Sequence, residues 1–315
     1  MLLLGRREVE ELLDVDALID ALADAMVDLS SGRASVPHRV GAFVEESDGM
    51  LAAMPGYTPS AGALAAKLVT LFPRNAGSEL PTHQAVIAVF DPRDGRLTAL
   101  LDGTEITAVR TAAGSALATR LLARDGARAL AILGTGVQAR AHAQAVTRVR
   151  SFTDIRVAGR DPAKAAALAG ELDPPARAAT SWEEACDGAD VVCATTHSLE
   201  PVVRREWLSD GAHVTSVGYN PNGREVDQAT VADALVVVES RAAALAPPPA
   251  GSTDLIGAED VVEIGELIDG RRPGRTTRDQ ITLYKSVGVA VQDGVAARLV
   301  LDAARERGVG REVEL

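Results

Sequence analysis

The run Ala129-Leu-Ala-Ile-Leu-Gly134-Thr-Gly136-Val-Gln-Ala139 decides the fold class of this 315-residue chain. An apolar strand pattern leads into a glycine pair and then into a helical pattern, which is the setting of a dinucleotide-binding turn. Gly134 allows the tight turn, Gly136 lets the backbone approach a pyrophosphate, and the small Ala139 lets the helix pack closely on the strand. Free N–H groups at the start of the helix suit phosphate oxygens. We therefore predict a dinucleotide site that includes Gly134, Thr135, Gly136, Val137 and Gln138.

The sequence after this run alternates between strand and helix patterns. Further apolar strand patterns lie at 154–158, 190–194, 212–217 and 234–239, with helical or polar stretches between them. Such alternation is typical of a parallel sheet covered by helices. We predict an α/β fold in which a Rossmann-type, doubly wound parallel sheet domain occupies residues 116–288.

The patterns outside that range differ. The apolar start of the chain predicts a short strand, a helix pattern covers 16–29, and β-type runs at 64–71, 85–90 and 97–101 include one pair joined by a turn at 91–95. A long helix should follow, with Asp102 or Thr104 as its N-cap and an end near Asp125, and a last amphipathic segment covers 287–307. We predict an α+β domain made of residues 1–115 and 289–315, and a loop at the proline-rich stretch 246–252.

Composition excludes several classes of function. A formal net charge of −12 argues against a general binder of nucleic acids or acidic membranes, because such binders present a basic face to phosphates. The apolar start is too short for a signal peptide or a membrane span. Cys186 and Cys193 do not suggest a disulfide framework, so we expect a cytoplasmic protein. The histidines show no metal-ligand spacing, and we predict no metal site.

The end of the second strand pattern bears on which dinucleotide is bound. NAD sites usually present an acid there to the ribose hydroxyls, whereas an arginine accommodates the 2′-phosphate of NADP. The acid position here holds Gly159, followed by Arg160 and Asp161, with Lys164 one helical turn later. We predict that NADP(H) is preferred and that Arg160 binds its 2′-phosphate. Two alternatives stay open, since Asp161 could take the acid role for NAD(H), or Arg160 could be only a solvated charge.

Three cations, Arg39, Lys67 and Arg110, lie among small or apolar neighbours in the first part of the chain. Taken singly, each is more often a surface charge or a structural ion pair than a ligand-binding group. Nothing in the composition brings the three together.

Seven runs, in chain order, allow a comparison with a known family: Ala53-Met-Pro55, Lys67-Leu-Val69, Pro81-Thr-His-Gln84, Leu101-Asp-Gly103, Ile106-Thr-Ala-Val-Arg-Thr-Ala-Ala113, Leu133-Gly-Thr-Gly-Val-Gln-Ala139 and Tyr284-Lys-Ser-Val-Gly288. They resemble the ornithine cyclodeaminase/mu-crystallin family, and the resemblance covers essentially the whole chain. The runs at 81–84 and 133–139 are most similar to the ketimine-reductase branch of that family.

The resemblance implies a homodimer in which the α+β domain supplies the dimer interface and one wall of the active site. It also implies that Arg39, Lys67 and Arg110 bind the carboxylate of the substrate, which suits planar guanidinium groups and a compact ammonium charge. By the same matching, Arg110 and Thr111 touch the cofactor, and the residues near its ribose and nicotinamide are Thr195, Thr196, Lys285 and Ser286.

Two positions depart from the cyclodeaminases of the family. A glutamate that handles protons at the substrate amines corresponds to Ala52, and an aspartate of the same chemistry corresponds to Asn220. Asparagine can form hydrogen bonds but cannot act as a base, so the groups needed for amine loss are incomplete. We therefore predict a reductase of a cyclic ketimine or related α-imino acid. NADPH would deliver the hydride, and Asn220 or a water would orient or protonate the nitrogen.

Three alternatives remain at this point. The first is an alanine-type amino-acid dehydrogenase that uses the same cations, the second is an ornithine cyclodeaminase, and the third is a non-enzymatic binder of a dinucleotide and a small ligand. His83 has the titration range of a proton-transfer group, yet its neighbours suit a hydrogen-bonded loop equally well.

Overall fold

A computed structural model describes residues 1–247 and 250–314. The strands in chain order are β1 (Leu2–Leu4), β2 (Val40–Val44), β3 (Gly49–Thr58), β4 (Ala63–Leu71), β5 (His83–Phe90), β6 (Leu97–Asp102), β7 (Ala129–Leu133), β8 (Asp154–Ala158), β9 (Arg177–Ala178), β10 (Val191–Ala194), β11 (His213–Ser216), β12 (Leu235–Val238), β13 (Val262–Glu263), β14 (Thr282–Lys285) and β15 (Arg311–Glu312).

The helices in chain order are α1 (Arg6–Leu12), α2 (Val15–Ser30), α3 (Gly103–Leu122), α4 (Val137–Val146), α5 (Pro162–Glu171), α6 (Trp182–Cys186), α7 (Gln228–Asp233), α8 (Arg241–Ala244), α9 (Ile264–Ile268) and α10 (Ala290–Arg307). Short 3-10 helices span Glu45–Ser47, Pro73–Asn75 and Arg205–Trp207. The predicted loop at 246–252 includes residues 248 and 249, which lie outside the described residues.

The chain forms two compact units. Unit 1 comprises Met1–Arg110 and Val289–Leu315, and unit 2 comprises Thr111–Gly288. The first boundary falls inside α3, between Arg110 and Thr111, whereas the sequence placed it between residues 115 and 116. Asp102 caps α3 by accepting a hydrogen bond from the Glu105 N–H at 2.8 Å, as one of the two expected caps.

Unit 1 is an α+β structure, as predicted. Its sheet has the order β15-β1-β6-β5-β4-β3-β2, and every pairing is antiparallel except that of β1 with β6. Side chains alternate between the two faces, so Ala52, Met54 and Lys67 share the face on which α10 packs. Gly56 permits this packing, since a Cβ there would lie 2.9 Å from the Ala290 Cβ. Helix α10 is therefore part of the unit 1 core.

Unit 2 is the predicted Rossmann-type domain. All eight strands of its sheet are parallel, in the order β13-β12-β14-β11-β10-β7-β8-β9. Strands β10, β11 and β14 are buried on both faces, as expected of a parallel sheet covered by helices, whereas the edge strand β9 is exposed. The order reverses between β7 and β10, and such a switch point opens a crevice at the carboxyl ends of the strands where ligands bind.

Candidate functional site

The glycine-rich loop lies at the switch point of the unit 2 sheet. Gly134 follows β7 with φ +128°, and a Cβ on it would lie 2.5 Å from Thr195 Oγ1. Thr195 follows β10, and both its N–H and its Oγ1 donate to the Leu133 carbonyl oxygen at 2.9 Å. The two strand ends are thus joined so tightly that only glycine fits at position 134.

The start of α4 is open. Gly136 is its N-cap and carries no side chain to engage the first N–H groups, and no heavy atom lies within 4 Å of where its Cβ would be. Val137 is exposed, and Gln138 is half-buried. The Gln138 carbonyl oxygen accepts a hydrogen bond from His142 Nδ1 at 2.7 Å, and His142 Nε2 lies 2.9 Å from Ser115 Oγ. His142 thus links α4 to α3. Burial lowers the pKa of His142 to about 4. The open end of α4 can accept an anion such as a pyrophosphate.

The end of β8 lies beside this loop. A Cβ on Gly159 would lie 2.5 Å from Thr135 Cγ2, which places Gly159 directly against the loop. Arg160 and Lys164 are exposed. Asp161 is the N-cap of α5, where its Oδ1 accepts from the N–H groups of Ala163 (2.9 Å) and Lys164 (3.3 Å). The carboxylate that could replace the missing acid is therefore already used to start a helix.

A buried carboxylate ties the ends of the central strands of unit 2 together. Glu225 accepts hydrogen bonds from Thr196 N (2.5 Å), Thr196 Oγ1 (2.8 Å), Ser216 Oγ (2.7 Å) and Gly218 N (2.7 Å). Lys285 Nζ lies 2.6 Å from Asp254 Oδ2 and donates to Ser216 Oγ (2.9 Å) and to the Gly218 carbonyl oxygen (2.6 Å). Two of the predicted site residues, Thr196 and Lys285, thus belong to one network.

Two further predicted site residues, Ser286 and Asn220, are also held by hydrogen bonds. Ser286 Oγ donates to the buried Glu239 at 2.5 Å, and the N–H groups of residues 287 and 288 point to the same carboxylate at 3.2 Å. Asn220 is half-buried, and its Oδ1 accepts from the Asn222 N–H at 3.0 Å within a local turn. Glu225, Asp254 and Glu239 were missed from the sequence, because no local pattern marks a carboxylate whose partners are distant in the chain.

A buried cation cluster occupies unit 1. Lys67 on β4 is 2% exposed and Arg110 on α3 is 5% exposed. Both contact Asp293, near the start of α10: its Oδ2 lies 2.8 Å from Lys67 Nζ, and its Oδ1 lies 2.9 Å from Arg110 Nε. Gln292 Oε1 accepts a second hydrogen bond from Arg110, at Nη1 and 2.9 Å. Two of the three predicted carboxylate ligands therefore meet around an aspartate that the sequence analysis did not identify.

Asp293 and burial act on the pKa of Lys67 in opposite directions. Burial, together with the positive charges of Arg110 and the half-buried Arg39, lowers the pKa of Lys67, and Asp293 partly offsets this, so that the pKa is about 8. Arg39 therefore belongs to the cluster electrostatically. Burial alone would raise the pKa of Asp293, but the charges of Lys67 and Arg110 hold it below its ordinary value. Three cations against one carboxylate leave a positive excess that suits an anionic ligand.

The positions that depart from the cyclodeaminase pattern lie as follows. Ala52 is buried on β3, on the same face as Lys67, and Asn220 lies in the turn described above. His83 is exposed at the start of β5, where its Nδ1 lies 3.2 Å from Thr82 Oγ1. Among residues 1–247 and 250–314 there is no cluster of metal-ligating side chains, and no helix is long and apolar enough to cross a membrane.

A Rossmann-type unit with a glycine loop at its switch point, together with an α+β unit that buries a cation cluster, defines a two-unit α/β protein of the dinucleotide-binding class. The chain belongs to the ornithine cyclodeaminase/mu-crystallin family, whose sequence profile matches residues 1–308.

Individual relatives cover nearly the whole chain. The ketimine reductase mu-crystallin of Mus musculus is 39% identical over 305 residues, which cover 95% of this chain and 96% of the relative. The Delta(1)-pyrroline-2-carboxylate reductase of Thermococcus litoralis, solved with NADH and L-proline, is 36% identical with a TM-score of 0.94 over 99% of this chain and 100% of its own. An archaeal alanine dehydrogenase, solved as a dimer with NAD, is 29% identical with a TM-score of 0.91 over 100% of this chain and 99% of its own.

Proposed function

We propose that this protein is an NAD(P)H-dependent reductase of the C=N bond in a cyclic ketimine or related α-imino acid. The observation that carries the proposal is the buried excess of positive charge around Lys67 and Arg110, on a sheet face where Ala52 supplies no carboxylate. Such a cluster binds a carboxylate but offers no additional acid for amine elimination. The ketimine reductase and pyrroline-2-carboxylate reductase among the relatives support the same activity.

We assign substrate binding to the cation cluster of unit 1 and cofactor binding to the glycine loop and hydrogen-bond network of unit 2. Unit 1 would bind the substrate through Arg39, Lys67 and Arg110, which hold the carboxylate and so orient the adjacent imine carbon. Unit 2 would bind the cofactor, with the backbone of 134–138 on the pyrophosphate and with Thr111, Thr195, Thr196, Lys285 and Ser286 around the ribose and nicotinamide. The reduced nicotinamide supplies the hydride. Asn220 or a water would orient or protonate the nitrogen.

NADP(H) is the preferred cofactor in this proposal. Exposed Arg160 follows Gly159 where an NAD site has its acid, and Asp161 is engaged as a helix cap. We expect Arg160→Ala to raise the KM for NADPH about tenfold or more, the scale of one charge-assisted contact, and to leave the KM for NADH unchanged. The KM for NADH serves as the internal control, and equal KM values for NADPH before and after the substitution would refute the assignment.

The activity is tested by following reduced nicotinamide absorbance with Δ1-pyrroline-2-carboxylate and Δ1-piperideine-2-carboxylate. Separate reactions contain pyruvate with ammonium, or ornithine with NAD and an assay for proline and ammonia. Rapid oxidation of the reduced nicotinamide with a cyclic imine supports the proposal. Turnover of pyruvate with ammonium alone indicates an alanine-type dehydrogenase. Formation of proline from ornithine alone refutes the reductase proposal. Lys67→Ala should lose about 30-fold or more in kcat/KM on the imine, whereas Arg298→Ala, on the outer part of α10, should lose nothing.

A homodimer is part of the proposal. Val40, Ala53, Leu68 and Val86 are successive cross-strand partners on the sheet face opposite Lys67, and three of them are large and exposed, at 65%, 43% and 38%. An apolar row of this kind marks an interaction surface. The alanine dehydrogenase relative is a dimer. A second copy of this chain is the occupant that we assign to this face.

A further inference from the structure

One carboxylate is at the centre of the unit 1 cation cluster. Asp293 is 1% exposed, and its two oxygens lie 2.9 and 2.8 Å from Lys67 Nζ. The same Oδ1 accepts from Arg110 Nε at 2.9 Å. Asp293 therefore joins β4, α3 and α10 at one point and controls where both cations lie.

The charged groups that act most on the pKa of Lys67 are Asp293 on α10, Arg110 on α3, and Arg39 ahead of β2. The neighbouring strands place Met54 and Ile87 opposite Lys67, and neither carries charge. Burial and two nearby cations all disfavour a charged lysine, so Asp293 is the group in this set that favours it.

The type of cation at this position is informative. Of the 32 lysine and arginine residues of the chain, only three are lysines, namely Lys67, Lys164 and Lys285. Arginine is the usual choice for buried ion pairs because it stays charged and forks onto carboxylates, whereas a buried lysine readily loses its proton. Position 67 thus carries the cation whose charge depends on its surroundings.

We propose that Asp293 is the positioning residue of the carboxylate-binding cluster: it fixes Lys67 and Arg110 and keeps the Lys67 ammonium charged for the substrate at neutral pH. This inference rests on the proposed function, because the substrate carboxylate is the ligand that needs the charge. Asp293 acts through Lys67 and Arg110 and needs no contact of its own with the substrate.

The first test is a direct titration of the lysines. In protein labelled with [13Cε]lysine, the three lysines give three signals, which Lys164→Arg and Lys67→Arg assign. Lys67 should titrate near pH 8 in the unmodified protein. In Asp293→Asn it should titrate lower by about one to three pH units, the effect of losing an adjacent opposite charge. Asp302→Asn is the matched control, because it removes a carboxylate of the same helix that pairs with Arg298 at 2.8 Å. An unchanged Lys67 titration in Asp293→Asn overturns the proposal.

The second test is the pH profile of kcat/KM for NADPH-linked reduction of Δ1-piperideine-2-carboxylate. The alkaline limb should move to lower pH in Asp293→Asn, with a loss of about threefold or more at pH 7.5. The loss should become smaller as the pH falls and Lys67 regains its proton, and KM should change more than kcat. Titration of the imine itself is common to both proteins. An equal loss at every pH would mean that Asp293 only supports the fold, and would overturn the proposal.

Two further outcomes keep the inference separate from the proposed function. If Asp293→Asn does not fold, Lys67→Arg gives the answer, since an arginine stays charged and should flatten the alkaline limb, and an unaltered limb contradicts the proposal. The lysine titration needs no substrate. A shifted Lys67 without turnover of any imine would refute the proposed function alone, whereas imine reduction with an unshifted Lys67 would refute the role of Asp293 alone.

Discussion

Substitutions at the two glycines of the loop should have different effects: Gly134→Ala introduces backbone strain, whereas Gly136→Ala affects only contact with the cofactor. Gly134→Ala places a Cβ 2.5 Å from Thr195 Oγ1 and 3.0 Å from the Thr195 carbonyl oxygen, at φ +128°. The backbone conformation costs a non-glycine residue about 1–3 kcal/mol, and the overlap adds about 1–3 kcal/mol, since one of the atoms met belongs to the backbone. If the loop relaxes to avoid this contact, binding of the cofactor must return the loop to its original conformation, and this lowers the affinity.

The expected result is therefore twofold. The lower bound of the strain, about 2 kcal/mol, is divided between two effects. The part that the loop retains lowers the unfolding free energy of Gly134→Ala, and the part that the loop relieves by relaxing raises the Kd for NADPH, up to about 30-fold. Gly136→Ala should behave differently, because no atom lies within 4 Å of its Cβ. It should keep the unfolding free energy and lose cofactor affinity alone, since its methyl group would enter the space that the proposed function assigns to the pyrophosphate.

Urea unfolding and fluorescence titration with NADPH measure the two quantities. Gly126→Ala is the control, because it also has open space around its Cβ but lies before β7 and away from the loop. An unchanged Kd in Gly136→Ala would refute the assignment of the loop to the pyrophosphate. An unchanged unfolding free energy together with an unchanged Kd in Gly134→Ala would refute the strain argument.

Three further predictions concern the network, the buried histidine and the apolar face. Glu225→Gln should lower the unfolding free energy measured in urea by about 3 kcal/mol, because an amide cannot accept from all the donors that meet Glu225; a loss below that of an exposed control such as Glu10→Gln would contradict this. Stability should fall by about 1 kcal/mol between pH 7 and 5.5 on account of His142, because the unfolded chain binds a proton near pH 6.5 while burial lowers the pKa of folded His142 to about 4. In urea titrations at the two pH values, the unfolding free energy of His142→Gln should decline less than that of the unmodified protein. An identical decline in both proteins would refute the role of His142. Leu68→Lys should yield monomers in sedimentation velocity because it puts a charge in the apolar row, whereas Leu199→Lys, at an exposed leucine of unit 2, should not. Dimers in both variants would refute the assignment of the interface to this face.

The glycine loop was predictable because its determinants are local. A strand pattern, two glycines and a helix pattern stand together within 129–139, and the structure has β7, the turn and α4 in those positions. The sequence left open whether Arg160 meets the 2′-phosphate of NADP or Asp161 meets the ribose hydroxyls of NAD. Only the structure bears on this choice, because it shows that Asp161 caps α5. Strands β2, β3, β9, β13, β14 and β15 were not predicted. Pro55 and Gly56 interrupt the β3 pattern, β14 has only four residues, and β9, β13 and β15 have two residues each.

The centre of the cation cluster was not predictable in the same way. Asp293 lies 226 residues from Lys67 and 183 from Arg110 in the chain, so no spacing rule connects them. The sequence around Asp293 reads as an ordinary amphipathic helix. The cations Arg39, Lys67 and Arg110 stood out among their small or apolar neighbours, but only the family resemblance grouped them as carboxylate ligands, and it did not point to their counter-ion. Long-range ion pairs of this kind become visible only once the fold brings the elements together.

Unit 1 is completed late in the synthesis of the chain. Its sheet strands β1 to β6 emerge first, and α10, which covers their inner face, follows the whole of unit 2. At about 5–20 residues per second, the 183 residues from Arg110 to Asp293 separate the two by about 10–40 s. Until α10 is made, the carboxylate that pairs with Lys67 is absent from the chain. The helix that packs on β4 is also the helix that carries this carboxylate, so the burial and the pairing of Lys67 both depend on the same late element.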